Sequence, residues 1–500
     1  MATTLDGSSR QINLGQGIAV RAPGLRGRAE VHDVGPGADT RAPEVDGSGE
    51  ALDAALTKEG FLRLRVITLD VAPVPNAPIG DVRSPVTDEA GMEVTVPDLG
   101  EDVAQVLLAV DENGVVSWNF PVDAGDDLAP TTRGSGDVVR FIVPAFASSP
   151  APEEGATDRG VLGFIGRKVL ELIALPLAEL VVPPLAGAAA RLWEGNARKA
   201  RVRTFTASDY TSGDAPDLTE ADWRRLASGR SLWFVHGTFV NTHTAFQAFP
   251  PDVLAALSAQ YGGRVAAIDH HTLGVDPIEN AELVRAAVPD GLELDVDIVC
   301  HSRGGLVGRA LAGQGTDPVF DVRRIVHVAS ANHGTALATP SNLVPFIDRV
   351  TTIVNLIPDG PAAVIETTLT SVLVVVKIIA KYGLVGIPGL AAMDSAGDFV
   401  ASFNAAALPA EQFAVAADFT PSGGWRAMTL RNVENVVVDR VFGSAANDLV
   451  VPTAGVYEGD DAMVIPEERR LVLPRERGVY HGSFFGQRDV ATRIAGWLTG

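Results

Sequence analysis

The sequence predicts an α/β protein, a mostly parallel sheet flanked by helices, preceded by an N-terminal β-sandwich-like region. Three observations carry this expectation. From Ser231 onward, apolar runs of strand length alternate with helical stretches. One such run, Val296–Cys300, passes directly into His301-Ser302-Arg303-Gly304-Gly305 and then a helical pattern. Before residue 150, short strand-like runs recur with turn signals between them.

Taken in order, residues 1–50 are rich in Gly, Asp, Ala and Arg without a period and read as a loosely ordered arm. Residues 51–147 read as a β-rich accessory domain. A short helix over Glu50–Glu59 leads into strands at Phe61–Val71, Met92–Pro97, Val103–Asp111, Val115–Pro121 and Val138–Pro144. Asn113-Gly114 is a type I′ hairpin signal, because both positions tolerate positive φ. Residues 148–160 read as a linker and residues 161–200 as an apolar helical segment packed on a neighbouring domain. Residues 201–500 form the α/β domain. Its buried strands are expected at Ser231–Val235, Val265–Ile268, Val296–Cys300, Arg324–Ala329 and Phe413–Ala417, each apolar at nearly every position as a parallel sheet requires. A long apolar insertion interrupts them at about 340–392.

The chemistry centres on Ser302. A serine on a tight strand-to-helix turn is strained, so its neighbours two before and two after must be small. Gly304 and Gly305 meet the second condition, and Cys300 stands where glycine is usual. The helix from Gly304 directs its first N–H groups toward Ser302, which favours an oxyanion. Upstream, Leu232-Trp-Phe-Val-His-Gly-Thr238 is a strand ending in His236-Gly237, suited to an oxyanion loop with N–H donors near Thr238 and at Arg303. Downstream, Asn447-Asp-Leu-Val-Val-Pro452 offers Asp448 and Val479-Tyr-His-Gly-Ser483 offers His481. The order Ser302, Asp448, His481 suits nucleophile, acid and base leaving successive strands.

With these motifs, residues from about 225 to 500 resemble the α/β-hydrolase superfamily, in its bacterial lipase and esterase branch. His236-Gly237, His301 to Gly305, the Asp448 segment with its Val-Val-Pro continuation, and His481 carry the resemblance. Met393–Asn404 is similar to the segment that re-enters the core after a lipase lid, and the resemblance implies that the insertion at about 340–392 is a cap or lid. The resemblance implies a serine hydrolase of carboxylic esters that works through a Ser302–His481–Asp448 triad and an acyl-enzyme, without a cofactor. An acyltransferase, thioesterase or amidase using the same triad, or a catalytically silent binding protein on the same fold, are the alternatives.

Other residues compete for roles. Asp418, at a strand end, is a second candidate acid, disfavoured because the Val-Val-Pro continuation marks Asp448. Asp394 and Asp398 are expected to cap a helix. His327 reads as a packed core histidine and His333 as a residue bordering the pocket. His270-His271 with Asp269 and Asp276 raises the question of a metal. Adjacent strand residues face opposite ways, so no metal site is expected there. His236 is expected to fix its turn, with no proton-transfer role. The Cys300 side chain is expected to point away from the elbow tip.

Composition narrows the partners. Of 500 residues, 62 are acidic and 40 basic, a net charge of −22 that disfavours a nucleic-acid partner. One cysteine excludes a disulfide framework. Charges and prolines interrupt Val161–Leu192, and charges and glycines interrupt Val364–Leu390, so neither gives the roughly 18 apolar residues of a transmembrane span. They are candidate lipid-contacting surfaces, with packing on a neighbouring domain the favoured reading of the first, and the apolar insertion implies an ester with a hydrophobic acyl group, a small-molecule ester or lipid. Met1–Gln16 shows no signal-peptide pattern, so a cytoplasmic location is expected.

Overall fold

A computed structural model describes residues 2–34, 50–74, 91–100, 102–111, 115–122, 138–144, 166–176, 186–313, 319–356, 362–383, 386–405, 408–419, 441–442, 445–458 and 463–500. The Asn113-Gly114 turn and the 148–160 linker lie outside them. The chain divides into two compact units: described parts of 1–183 and 344–385 form one, and those of 184–343, 386–422 and 441–500 the other.

The described residues of the first unit form ten strands: β1 (Thr3–Asp6), β2 (Ile12–Gly15), β3 (Ile18–Arg21), β4 (Leu25–Asp33), β5 (Leu62–Pro73), β6 (Gly91–Pro97), β7 (Val103–Asp111), β8 (Val116–Asn119), β9 (Val138–Pro144) and β10 (Gly166–Pro176). They form two antiparallel sheets, ordered β1-β4-β5-β10-β7-β8 and β2-β3-β6-β9. Val20, Val94 and Phe141 of the smaller sheet share one core with Ile67, Leu107 and Leu170 of the larger. This is face-to-face sheet packing, with each strand donating its inward side chains.

Three expectations are corrected here. Residues 3–33 form the four strands β1 to β4 joined by short turns, not a loosely ordered arm. Their apolar residues alternate inward (Ile18 and Val20 are buried, Ala19 and Arg21 are not), and their glycines serve the turns. At Gly27, φ +157°, a Cβ would lie 1.9 Å from the Asp70 carbonyl oxygen, so only glycine fits between β4 and β5. Residues 166–176 are a strand, not a helix, and Ala186–Ala197 is a helix. β10 sits between β5 and β7 and is buried on both faces, and such a run looks in sequence like a buried helix. The 340–392 insertion divides between the units instead of belonging wholly to the α/β domain. Its helices Leu343–Leu356 and Ala362–Tyr382 pack within the β-rich unit. Asp348 and Thr352 accept the Trp118 and Val116 N–H groups of β8 at 2.7 and 3.0 Å, and Lys377 pairs with Glu59 at 2.8 Å. Among the described residues, no helix is long and apolar enough to cross a membrane.

The second unit holds a seven-stranded sheet: β11 (Arg201–Thr204), β12 (Ser231–Val235), β13 (Val265–Asp269), β14 (Leu294–His301), β15 (Phe320–Val328), β16 (Glu411–Ala417) and β17 (Arg470–Leu473). Its order is β11-β13-β12-β14-β15-β16-β17, parallel throughout except for the edge strand β11. One apolar layer, including Phe234, Phe246, Val299 and Ile494, is distinct from a second that includes Trp233, Ile298, Cys300 and Val307. β12 and β14 supply alternate residues to both, so both sheet faces are covered. The C-terminal ends of β12 and β14 run directly into His236-Gly237 and Ser302, and Asp448 and His481 come after β16 and β17, respectively, in the chain.

Candidate active site

Ser302 follows the last residue of β14 and precedes the Gly304–Ala312 helix. Its φ is +53°, a left-handed conformation that a non-glycine residue adopts only when its surroundings hold it there. Here the Ser302 N–H donates to the Val328 carbonyl at 3.0 Å, and its own carbonyl accepts from Gly305 N–H at 3.0 Å. Ser302 thus sits on a strained strand-to-helix turn held by backbone hydrogen bonds on both sides.

The small residues around the elbow follow from close backbone approach. A Cβ on Gly304 would lie 2.5 Å from the carbonyl oxygens of both Val235 and His236, and one on Gly305 would lie 2.5 Å from the Ser330 Cβ. A Cβ on Gly237 would lie 2.6 Å from that of Ser302, which puts the His236-Gly237-Thr238 loop directly against the serine. Cys300 points to the other side: its sulfur is 2.6 Å from where a Gly308 Cβ would be, and burial raises its pKa. Gly304→Ala is therefore expected to cost about 1–3 kcal/mol or more, because the obstructing atoms are backbone and cannot rotate away. A urea-unfolding midpoint equal to wild type would show that the β12–helix approach is looser than this geometry requires.

The structure brings Ser302, His481 and Asp448 together. Ser302 Oγ lies 2.9 Å from His481 Nε2, and His481 Nδ1 lies 2.8 Å from Asp448 Oδ2. The other Asp448 oxygen accepts the N–H groups of Val450 and Val451 at 3.0 and 2.8 Å. The His481 N–H donates to the Asp448 carbonyl at 3.0 Å, joining the two loops directly. Asp448 is buried and His481 partly open. The Val-Val that identified Asp448 in the sequence thus supplies the amides that hold its carboxylate. Asp418 is engaged elsewhere, paired with Arg475 at 3.1 Å.

His301, beside the serine, donates from Nε2 to the His481 carbonyl at 3.0 Å and packs against the His481 and Phe485 rings. Burial lowers its pKa to about 3. His236 donates from Nδ1 to the Gly237 carbonyl at 2.8 Å and accepts the His270 N–H at Nε2, 3.0 Å away. Its pKa also falls to about 3 through burial. Thr238 Oγ1 reaches the Met393 sulfur at 3.5 Å. Among the described residues, the main-chain N–H groups of Thr238 and Arg303 have no intramolecular acceptor.

The remaining histidines and acids have structural partners. His327 is fully buried with Nε2 3.1 Å from Gln412 Oε1, and burial lowers its pKa to about 3. His333 is fixed between Asn404 and the Met463 carbonyl. Asp269 accepts from Thr242 and Arg201, and Asp276 caps the Pro277–Ala287 helix. Asp394 accepts the Ala396 N–H in a turn, and Asp398 lies in the first turn of the Asp398–Asn404 helix. His271 Nε2 bonds the Arg198 carbonyl at 3.0 Å. His270 lies flat against His236 with ring centroids 4.1 Å apart.

His236, His270, His301 and His327 are held neutral by burial. Each has a folded pKa below its unfolded value of 6.5, so the unfolded chain binds more protons below that value. Their contribution is present above pH 6.5 and lost as pH falls, by on the order of 1 kcal/mol per pH unit for each histidine. Urea-unfolding free energies should drop steeply between pH 7 and 5, and His327→Gln should make that slope shallower. A flat profile over this interval would contradict neutral burial.

The family described as "Domain of unknown function (DUF7379)" matches residues 197–499. No curated protein sequence matches the chain. Among solved structures, the chain is similar to phospholipase PlaB from Legionella pneumophila, with 17% identity over 46% of this chain and 45% of that one and a TM-score of 0.30. It is also similar to lipase 1 from Pelosinus fermentans, with 13% identity, 54% and 98% coverage and a TM-score of 0.35. EstA from Clostridium botulinum shows 12% identity, 59% and 97% coverage and a TM-score of 0.33. The chain spans less than half the length of the phospholipase.

Proposed function

This chain belongs to the DUF7379 family, and from that starting point we propose that it is a serine hydrolase of carboxylic esters. The observation that carries the proposal is the continuous hydrogen-bonded line Ser302 Oγ–His481–Asp448 at a strained strand-to-helix turn. A serine hydroxyl is a weak nucleophile until a base accepts its proton. In this reading, His481 Nε2 takes that proton as Oγ attacks the ester carbonyl. Asp448 keeps the His481 Nδ1 proton in place and stabilises the imidazolium. The carbonyl oxygen, now negative, is received by the Arg303 and Thr238 N–H groups. His481 then protonates the leaving alcohol as the C–O bond breaks, and water repeats the sequence on the acyl-enzyme to release the acid.

For the acyl group we propose a hydrophobic one, based on the apolar character of residues 340–392. The helix Ala362–Tyr382 packs within the β-rich unit, and chain-length kinetics read the acyl preference directly. Purified protein should release p-nitrophenolate from p-nitrophenyl esters, with kcat/KM rising from acetyl toward longer acyl groups. A folded protein that cleaves none of the series would overturn the ester-hydrolase proposal. An optimum at acetyl would overturn only the hydrophobic preference.

A further inference from the structure

We propose that the Arg303 side chain, acting through His270 and His236, is the positioning residue that aims both oxyanion-binding N–H groups. This rests on the serine-hydrolase reading above. The Arg303 main-chain N–H adjoins Ser302, but the side chain turns away and is completely buried. Its guanidinium donates from Nε to the Gly389 carbonyl at 3.1 Å, and from Nη1 to the His271 carbonyl and to His270 Nδ1, each at 3.2 Å. Nη2 donates to the Val275 carbonyl. A flexible lysine could not satisfy this fork, because its donors radiate from one nitrogen.

The chain of contacts continues without a gap to the other oxyanion donor. His270 Nδ1 lies 3.2 Å from Arg303 Nη1 and 3.0 Å from the His271 carbonyl, and Nε2 lies 2.9 Å from the His236 carbonyl. A proton on Nε2 satisfies two of these contacts and a proton on Nδ1 only one, so neutral His270 accepts from Arg303 and donates to His236. The His270 N–H donates to His236 Nε2, which fixes the proton of that ring on Nδ1, and Nδ1 donates to the Gly237 carbonyl. A trans peptide is planar, so its N–H points opposite its carbonyl. Holding the Gly237 carbonyl therefore sets the direction of the Thr238 N–H. One end of the network thus fixes the residue carrying the first donor, and the other end fixes the peptide carrying the second.

The charge is balanced within the same cluster. The fully buried Glu194 carboxylate accepts the N–H groups of Thr272, Leu273 and Gly274, so the 271–275 loop is held at its carbonyls by Arg303 and at its amides by Glu194. Burial still lowers the Arg303 pKa, to about 10, so the guanidinium stays charged at neutral pH.

The test combines active-site titration by a fluorophosphonate, steady-state kinetics, and affinity for an alkyl boronic acid, whose tetrahedral adduct occupies the oxyanion site. Arg303→Lys should lower kcat per titrated site by about 10–100-fold with KM changed by less than about threefold, and should weaken boronic acid binding by a similar factor. A purely structural role would lower the titratable fraction and leave kcat per titrated site unchanged. If Arg303→Lys does not fold, His270→Phe keeps a ring and removes the polar contacts to Arg303, His271 and His236, and the same losses are expected. The proposal is overturned if kcat per titrated site stays within about twofold of wild type, or if kcat falls while boronic acid affinity does not. Wild-type protein that the fluorophosphonate fails to label would sink the hydrolase reading itself, before any variant is compared.

Discussion

Ser302→Ala is expected to lower kcat for a p-nitrophenyl ester by about 10⁴–10⁶-fold while leaving the fold intact. The size of the effect follows from covalent chemistry. Without Oγ no acyl-enzyme forms, and what remains is the rate supplied by binding and by the oxyanion donors. Stability should change little. The serine is nearly buried, so removing its hydroxyl exposes no core, and alanine at φ +53° is strained much as serine is. Loss of the Oγ–His481 bond should be worth about 1 kcal/mol at most. A circular-dichroism melt beside the kinetic assay separates these effects. Activity within tenfold of wild type would remove Ser302 from the mechanism.

Asp448→Asn is expected to lower kcat by about 10⁴-fold, close to the loss from removing the serine. An amide in place of the carboxylate can donate to His481 Nδ1, which favours the tautomer with its proton on Nε2 and leaves nothing to accept from Ser302. The amide also gives no negative charge to stabilise the imidazolium. Its remaining oxygen can still accept from Val450 and Val451, so the loop should hold. Asp418→Asn is the internal control. It breaks only the half-exposed pair with Arg475, expected to be worth roughly 0–1 kcal/mol, and should leave kcat within about twofold. If Asp418→Asn proved the more damaging, the acid would have to be reassigned.

Much of the α/β unit was legible because parallel strands covered on both faces must be apolar almost throughout. β12 to β16 each carry such a run, and β12 and β14 end directly at His236-Gly237 and Ser302. The edge strands β11 and β17 were not legible. They are four residues each, and Arg201-Val-Arg-Thr or Arg470-Leu-Val-Leu gives too little pattern to separate a strand from a turn. β10 was misread for a related reason: Val169–Leu175 is apolar on both sides, and only its partners β5 and β7 decide between strand and helix. The partner of the Ala362–Tyr382 helix was equally invisible, since a sequence records that a face is apolar and not what covers it.

The site shows the same division. Ser302, Asp448 and His481 stand out because each sits in a short motif whose neighbours are constrained by the same geometry. Glycines clear the elbow, and the Val-Val amides hold the acid. The network behind them left no such mark. Arg303 reaches Gly389, and Glu194 reaches Thr272, across long stretches of chain with no local pattern linking them. In sequence, His270 looked like half of an adjacent histidine pair. Its stacking on His236 and its bond to Arg303 depend on β12, β13 and β14 lying side by side.

The account's central claim is that Ser302 is an activated nucleophile, and the most direct measurement of it is covalent. Intact wild-type protein treated with a fluorophosphonate should gain one adduct, located by peptide mass spectrometry on Ser302, and Ser302→Ala should gain none. His481→Ala should react far more slowly, because the proton on Oγ then has no acceptor. An adduct on another residue, equal labelling of wild type and Ser302→Ala, or no labelling of folded wild type would contradict the claim.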